Sequence, residues 1–263
     1  MRVALCISGE LRSFQQTYKE LSKNIIEPLE PDIFLYSWDQ IEGSWKQRNK
    51  GNKYNNFFID DFEGIQNSST LSKDVVDLYH PADFVLENFL EEYKNEIKGV
   101  KRPRELLSDA NKSRWSQYNL PMFYTLYKCN ELKKEYERKN NFTYDMVIKI
   151  RTDVRFPKMS KDFDAGVLEN TLWYYPKDHN ESHVVSDKFA FSNSAIMDYY
   201  SSVFTKLTDY WDEGMYNSLG HWKIGEEMMW HHFYDKSDIS VKSFGGKYYD
   251  GKRAQAIRKE DEN

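Results

Sequence analysis

The first 39 residues follow the order strand, helix, strand, and this order constrains the fold more than any other feature of the chain. Residues 3–7 form an uninterrupted apolar run, which is typical of a strand buried on both faces. Residues 11–29 carry apolar side chains at helical spacing, and we expect Pro28 to close that helix. Residues 32–38 form a second apolar run. The order predicts a βαβ unit with a right-handed crossover, and therefore an α/β fold.

The same alternation continues along the chain and predicts one domain. We expect further strands at 82–87, 145–156, 173–175, 188–191 and 239–244, and helices at 116–139, 193–207 (with Asn193 or Ser194 as its N-cap) and 225–234. The polar segments 40–70 and 94–109 have no clear period and are predicted loops. The expected architecture is a Rossmann-type α/β domain over residues 1–246, with a mixed, mostly parallel central sheet flanked by helices. A polar tail is expected over 247–263.

Charge, hydropathy and cysteine content exclude several classes of protein. The net charge is -5 and the basic residues are scattered, so we expect no nucleic-acid partner. No stretch approaches the roughly 18 apolar residues of a membrane-spanning helix, so we expect no integral membrane segment. The apolar run at 3–7 is too short for a signal peptide, and Cys6 and Cys129 have no CxxC partner. These features predict a soluble, cytoplasmic protein.

The loop after the first strand is the first candidate site. It consists of Ser8, Gly9, Glu10, Leu11 and Arg12. Ligands of doubly wound α/β folds bind at the carboxyl ends of strands, where a Ser-Gly turn exposes backbone N–H groups and Arg12 can pair with a phosphate. The loop has neither a G-x-G-x-x-G nor a P-loop motif. A tight turn with a solvated arginine remains the alternative.

The second candidate site follows the predicted strand at 145–156. Arg151, Asp153 and Arg155 come directly after a strongly apolar run. Asp153, at the exposed end of a buried strand, can hold a divalent cation against a diphosphate. Arg151 or Arg155 can balance phosphate charge or pair with Asp153. The alternative is an ordinary charged strand end.

The remaining candidates are acids near two later elements. Glu226 and Glu227 open the helix at 225–234, and one of them can accept a proton from an attacking hydroxyl. The alternative is a helix N-terminus with acids that suit its dipole. Asp187 precedes the strand at 188–191 and can bind substrate hydroxyls. His231 and His232 are more consistent with structural roles than with metal ligation.

Together these stretches resemble nucleotide-sugar glycosyltransferases of the GT-A type. The resemblance covers residues 1–244 and is carried by the stretches R-V-A-L-C-I-S-G-E-L-R-S-F, Y-D-M-V-I-K-I-R-T-D-V-R-F, V-S-D-K-F-A-F-S and G-E-E-M-M-W. The second stretch is similar to the R-T-D segment of WavE-like lipopolysaccharide-synthesis proteins. Related transferases occur in bacterial surface-polysaccharide clusters and in large DNA viruses.

The resemblance implies a role for each candidate residue. GT-A enzymes bind a metal ion and the nucleotide diphosphate through a D-x-D segment, of which Arg151-Thr152-Asp153 keeps only the last acid. It implies Mn²⁺ or Mg²⁺ at Asp153 and a base among Glu226, Glu227 and Asp187. Nucleotide-sugar contacts are implied for Ser8, Gly9, Arg12, Asp39, Arg151, Asp153 and Arg155.

The expected function is sugar transfer from a nucleoside-diphosphate sugar to a hydroxyl of a glycan or lipid-linked acceptor. The aromatic residues are expected to fall into two sets. Phe34, Phe123 and Phe189 belong to predicted strands and helices and are expected in the core. Tryptophans near polar strand ends, loops and acids suit a sugar-binding cleft, and these are Trp38, Trp45, Trp115, Trp222 and Trp230. The missing first acid of the D-x-D triplet keeps open a non-catalytic carbohydrate- or partner-binding protein on the same scaffold. A sugar nucleotidyltransferase is a second alternative, although the glycine- and arginine-rich first loop expected there is absent. The expected location is the cytoplasm of a bacterium, or of a host cell if the chain is viral.

Overall fold

The predicted βαβ opening is present in the computed structural model of the chain. The structure describes residues 1–39, 68–88, 119–154, 156–160, 165–174, 185–212, 224–234, 236 and 238–243. Strand β1 (Val3–Ser8) is followed by helix α1 (Phe14–Leu21), a π-helical segment (Ser22–Ile26), the short helix α2 (Glu27–Leu29) and strand β2 (Asp32–Trp38). The helical stretch therefore begins three residues later than expected and continues past Pro28 to Leu29.

The remaining elements alternate between helices and strands. In chain order they are α3 (Ser68–Tyr79), β3 (Asp83–Glu87), α4 (Leu120–Asn140), β4 (Met146–Ile150), a 3₁₀ turn (Ala165–Leu168), β5 (Thr171–Tyr174), β6 (Phe189–Ser192), α5 (Ser194–Ser201), α6 (Val203–Asp212), α7 (Ile224–Tyr234) and β7 (Ser240–Ser243). The Asn193 side chain accepts a hydrogen bond from the backbone N–H of Ile196 and caps α5 as predicted.

Two helical predictions differ from the structure. Helix α3 begins inside the segment predicted as a loop, because the apolar residues Leu71, Val75 and Tyr79 lie four apart and are buried on one face. The single helix predicted at 193–207 is two helices, and Ser202 lies between them. The predicted tail at 247–263 lies outside the described residues.

The strands of the described residues form one sheet with the order β3-β2-β1-β4-β6-β5-β7. Strands β3, β2, β1 and β4 are parallel, β6 is antiparallel to both of its neighbours, and β5 is parallel to β7. The predicted α/β fold with a mixed, mostly parallel sheet flanked by helices is confirmed.

Both faces of the sheet are covered by apolar layers, which explains the uninterrupted apolar runs of β1 and β4. Leu5 and Ile148 are fully buried on the face that packs against α1 and α3. Ala4 and Val147 are buried on the opposite face, against α4 to α7. No helix among the described residues is long and apolar enough to cross a membrane.

The strand order creates a crevice at one edge of the sheet. The chain runs outward from β1 to β2 and β3 and then returns to β4, on the other side of β1. This reversal between β1 and β4 is a topological switch point, beyond whose carboxyl ends ligands bind in open α/β sheets. Because β6 is antiparallel, its first residue lies at the same edge.

Candidate functional site

The loops after β1 and β4 meet at the switch point and are bonded to each other through Thr152. The Thr152 hydroxyl donates to the carbonyl of Leu11 at 3.0 Å, and the Thr152 carbonyl accepts from the Thr17 hydroxyl at 2.7 Å. The Ser13 hydroxyl adds a longer bond to the same carbonyl. These buried bonds fix the two loops relative to each other, so the side chains that they carry are held in register.

Backbone conformation shapes the loop after β1. Gly9 has a φ of 103°, which side chains other than glycine rarely adopt, and Arg12 has a φ of 23°. The N–H of Gly9 donates to the carbonyl of Tyr36 at 3.3 Å, so this group is used inside the protein rather than offered to a ligand. The contribution of the loop to a site therefore centres on the side chain of Arg12.

Five charged side chains form an alternating chain across the crevice. Arg12 donates from Nε to Glu10 at 3.1 Å and from Nη1 to Asp153 Oδ2 at 2.8 Å. Arg151 donates to both oxygens of Asp153, at 2.9 and 2.6 Å, and from Nη1 to Asp187 Oδ2 at 2.7 Å. The structure thus brings together residues from three separate predicted sites.

The ion pairs determine the ionisation of this chain. Burial alone would raise the pKa of Asp153, but the guanidinium groups of Arg151 and Arg12 outweigh burial and hold that pKa well below its usual range. Burial would likewise lower the pKa of Arg151, yet Asp153 and Asp187 raise it above its ordinary value. Asp153 and Arg151 are therefore both charged at neutral pH.

This arrangement does not fit a divalent cation at Asp153. Mn²⁺ and Mg²⁺ prefer several oxygen ligands, but both oxygens of Asp153 already accept guanidinium N–H groups. Within the described ranges, no group of three or more His, Cys, Asp or Glu side chains is placed to hold a metal ion. The predicted metal ion stays a prediction, and its binding at Asp153 would require guanidinium contacts to open.

Asp187 and Glu226, two of the predicted catalytic acids, lie in one region of the crevice. The backbone N–H of Val185 donates to the carbonyl of Glu226 at 3.0 Å, which joins the loop before β6 to the first turn of α7. Burial raises the pKa of the Tyr200 hydroxyl, and the nearby carboxylates of Asp187 and Glu226 raise it further. Asp187 is buried, whereas Glu226 is half-buried. Glu227, the third predicted acid, is the next residue of α7 and is also half-buried.

Asp39 lies at the carboxyl end of β2, beside β1. Its backbone N–H donates to the carbonyl of Glu87, and its Oδ2 accepts from the side-chain amide of Asn88 at 3.2 Å. Its other oxygen, Oδ1, is buried and has no hydrogen-bond partner among the residues that the structure describes. A buried acceptor of this kind is costly unless a ligand or water donates to it.

Lys149 and Tyr200 also belong to this region and were missed by sequence reasoning. Lys149 interrupts the buried run of β4, and a lysine inside such a run is the signal that could have identified it. Tyr200, whose hydroxyl donates to the carbonyl of Ser186 at 2.9 Å, has no comparable signal because buried tyrosines are common in this chain.

Other predicted residues lie outside the site or outside the described residues. Those outside the described residues are Arg155, Trp45, Trp115 and Trp222. Trp38 is 7% exposed and stacks on Tyr124, so the prediction that it lines a cleft is wrong. Phe34, Phe123 and Phe189 are core residues, as predicted. His232 is buried and bonded to Tyr199 and Tyr210, which is a structural role.

Comparisons with known proteins give structural similarities only. No protein-family model matches the chain, and no curated protein matches its sequence. The chain is similar to the glycosyltransferase GlyE of Streptococcus pneumoniae TIGR4, with 12% identity and a TM-score of 0.44 over 92% of this chain and 44% of GlyE. It therefore spans less than half the length of GlyE.

Two further solved structures have a similar chain path. A glycosyltransferase involved in the glycosylation of the major capsid of PBCV-1 has 7% identity and a TM-score of 0.37, over 93% of this chain and 82% of that one. Mouse xyloside xylosyltransferase 1 has 7% identity and a TM-score of 0.43, over 92% and 84%.

Proposed function

We propose that this protein is a glycosyltransferase that moves a sugar from a nucleoside-diphosphate sugar to a hydroxyl group of a glycan or lipid-linked acceptor. One observation carries the proposal. Two guanidinium groups, Arg12 and Arg151, lie at the switch point between β1 and β4, the carboxylate of Asp187 accepts from Arg151, and Glu226 lies near Tyr200, as Asp187 does. A site with fixed cations next to fixed carboxylates suits a reaction that expels a phosphate leaving group and removes a proton.

The guanidinium groups supply the contacts for the diphosphate. A guanidinium has five N–H donors, and Arg151 uses three of its five in the carboxylate contacts described above. Arg12 donates from Nε and Nη1, and its Nη2 has no acceptor among the described residues. These remaining donors suit phosphate oxygens, which guanidinium groups bind in a bidentate manner. Asp153 orients both guanidinium groups for this contact with the diphosphate.

Asp39 suits the ribose of the donor. It lies at the end of the strand next to β1, and its buried Oδ1 needs a hydrogen-bond donor. A ribose hydroxyl is such a donor, and an acid at the end of a neighbouring strand performs this task in dinucleotide-binding folds.

The chemical step follows from these placements. Glu226 accepts the proton of the acceptor hydroxyl, whose oxygen attacks the anomeric carbon of the sugar. The bond from that carbon to the diphosphate oxygen breaks, and the bonding electron pair leaves with the nucleoside diphosphate, whose charge Arg12 and Arg151 stabilise. We assign the base to Glu226, and we assign to Asp187, whose carboxylate accepts from Arg151, the orientation of that guanidinium.

Hydrolysis of a panel of nucleotide sugars tests the proposal. UDP-, GDP- and ADP-sugars are incubated with the protein, with and without Mn²⁺, and the released nucleotide is measured. We expect slow release of a nucleoside diphosphate from at least one donor. Pyrophosphate formation from a nucleoside triphosphate and a sugar phosphate would instead indicate a nucleotidyltransferase. No turnover with any donor would indicate a binding protein.

A matched pair of arginine variants ties this activity to the site. Arg151→Gln should reduce kcat/KM by about 100-fold, since it removes a preorganised donor to the leaving group. Arg138→Gln should leave kcat/KM within twofold, because Arg138 is an exposed residue near the end of α4 that pairs only with its own helix at Glu135. Equal activity of both variants would contradict the assigned site.

The predicted metal dependence is tested in the same assay by comparing turnover with and without Mn²⁺. A cytoplasmic location is part of the proposal. Cys6 and Cys129 are both buried free thiols, which fits a reducing compartment.

A further inference from the structure

Lys149 lies beneath the proposed donor site, inside the sheet. It is the fourth residue of β4, where it pairs with Cys6 of β1 and Ala190 of β6. Both of those residues face the layer of α4 to α7, so Lys149 faces that layer too. The residue is only 1% exposed. A charged side chain thus lies inside the sheet, one residue before the strand ends.

Lys149 is a buried residue, and its ammonium group forms no hydrogen bond to the residues that the structure describes. Lys133 of α4 is equally buried, yet its Nζ donates to Glu137, Asp198 and Ser194. Lys133 lies at the opposite edge of the sheet, because Ser194 follows the end of the antiparallel strand β6. An ammonium group on a buried residue is costly unless opposite charge compensates it, so the charges around Lys149 decide what it can do.

The charges that face Lys149 belong to the site. The strongest attraction comes from Asp187, with a weaker one from Asp153, and Arg151 repels it. Burial is the largest influence and lowers the pKa of Lys149 to about 8, against the attraction of Asp187. The thiol of Cys129 on α4 is its remaining titratable neighbour. Lys149 therefore supplies a second positive charge near Asp187, the carboxylate to which Arg151 donates a hydrogen bond.

We propose that Lys149 is a positioning residue that holds Asp187 in place when Arg151 turns to the diphosphate of the donor. This inference rests on the proposed function. In the ligand-free structure Arg151 is shared between Asp153 and Asp187. A phosphate that draws Arg151 away would leave Asp187, which is 3% exposed, without that guanidinium contact. Lys149 keeps a positive charge beside the carboxylate, which lowers the cost of that exchange.

Nucleotide binding by charge variants of Lys149 tests the proposal. Isothermal titration with UDP, GDP and ADP gives Kd for the wild type, for Lys149→Met and for Lys149→Gln, which keeps amide donors but has no charge. We expect both variants to bind the preferred nucleotide about 10-fold more weakly. The melting temperature of Lys149→Met should be unchanged or higher, because an apolar side chain replaces a buried charge without hydrogen bonds.

A double-mutant cycle shows whether Lys149 acts through Asp187. In an Asp187→Asn background there is no carboxylate to compensate, so adding Lys149→Met should change Kd by less than twofold. Lys133→Met is the matched control. It should lower the melting temperature, because it breaks a bonded buried group, and leave Kd unchanged.

The outcomes separate this inference from the proposed function. If the wild type binds none of the three nucleotides, the proposed function fails and the inference fails with it. If the wild type binds but Lys149→Met and Lys149→Gln bind equally well, only the inference is overturned. A 10-fold loss that persists in the Asp187→Asn background would also overturn it, since Lys149 would then act independently of Asp187.

Discussion

Asp153 has a different role in two interpretations of the site: it is a metal ligand in one and the counter-ion of Arg12 and Arg151 in the other. As a metal ligand it would need free oxygens, whereas in the structure its oxygens accept three guanidinium N–H groups from Arg12 and Arg151. The carboxylate then stabilises the ligand-free protein, because it compensates two partly buried cations. The two interpretations predict opposite effects on stability when the charge is removed.

Asp153→Asn should lower the free energy of unfolding of the metal-free protein by about 2 kcal/mol, since two guanidinium groups lose their shared counter-ion. Urea unfolding in the presence of EDTA measures this change. Asp209→Asn is the control, because Asp209 forms an exposed pair with Lys206, and its effect should stay below about 0.5 kcal/mol. If Asp153→Asn leaves stability unchanged in EDTA and abolishes stimulation by Mn²⁺, Asp153 is a metal ligand.

Helix α7 supplies the proposed base, and a buried histidine fixes this element to α5 and α6. The ring of His232 is hydrogen-bonded to the carbonyl of Tyr199 and to the hydroxyl of Tyr210, and it lies parallel to the ring of Tyr199. The first turn of the helix is held separately, through the bond from Val185 to Glu226. The orientation of Glu226 therefore depends on packing at both ends of α7.

The His232 contacts predict how the docking of α7 responds to pH. Burial lowers the pKa of His232 to about 4, and the charges of Lys236 and Lys206 add to this effect. In the unfolded chain the imidazole of His232 takes up a proton near pH 6.5. The contribution of the neutral ring to the free energy of unfolding is therefore largest above that pH and declines as the pH falls towards 4. The expected loss is about 3 kcal/mol at most. Nuclear magnetic resonance should show a neutral His232 ring in the folded protein at pH 5.

A variant separates this effect from general acid denaturation. His232→Gln should be less stable than the wild type at pH 7 but should lose less stability between pH 7 and 4.5. His80→Asn, at an exposed residue with a positive φ that asparagine tolerates, should follow the wild type. A His232 ring that titrates near pH 6.5 in the folded protein would contradict the argument.

At the scale of the whole molecule, sequence reasoning succeeded where the signal is local. The bounds of β2 and the cap of α5 follow from apolar runs and one asparagine. Helix α3 was missed, although Leu71, Val75 and Tyr79 have helical spacing, because its first residues belong to the polar segment 40–70 and no element was predicted at 71–81. The antiparallel direction of β6 could not be predicted, because a four-residue apolar run carries no information on direction.

The site shows the same division between local and long-range information. The sequence predicted that Arg12 and Asp153 follow apolar strands and that Asp187 precedes one, because polar residues border these apolar runs. It could not predict that Arg12 contacts Asp153, since these residues are 141 positions apart and meet only through the strand order. The absent hydrogen bond of Lys149 likewise depends on which residues fold around it.

The two edges of the sheet carry different buried charges, and this difference predicts where a bound nucleotide slows hydrogen exchange. The loops after β1 and β4 and the loop before β6 lie at the carboxyl edge with the ion-pair chain. The buried network of Lys133, Glu137 and Ser194 lies at the opposite edge.

Hydrogen–deuterium exchange with saturating UDP, GDP or ADP should therefore be slowed in residues 8–13, 151–154 and 185–188, because a ligand that bridges these loops suppresses their local opening. Exchange in residues 144–145 and 193–194 should be unchanged. Protection confined to that second set would place the nucleotide at the wrong edge and contradict the site, since no contact among the described residues would then connect it to Arg12 or Arg151.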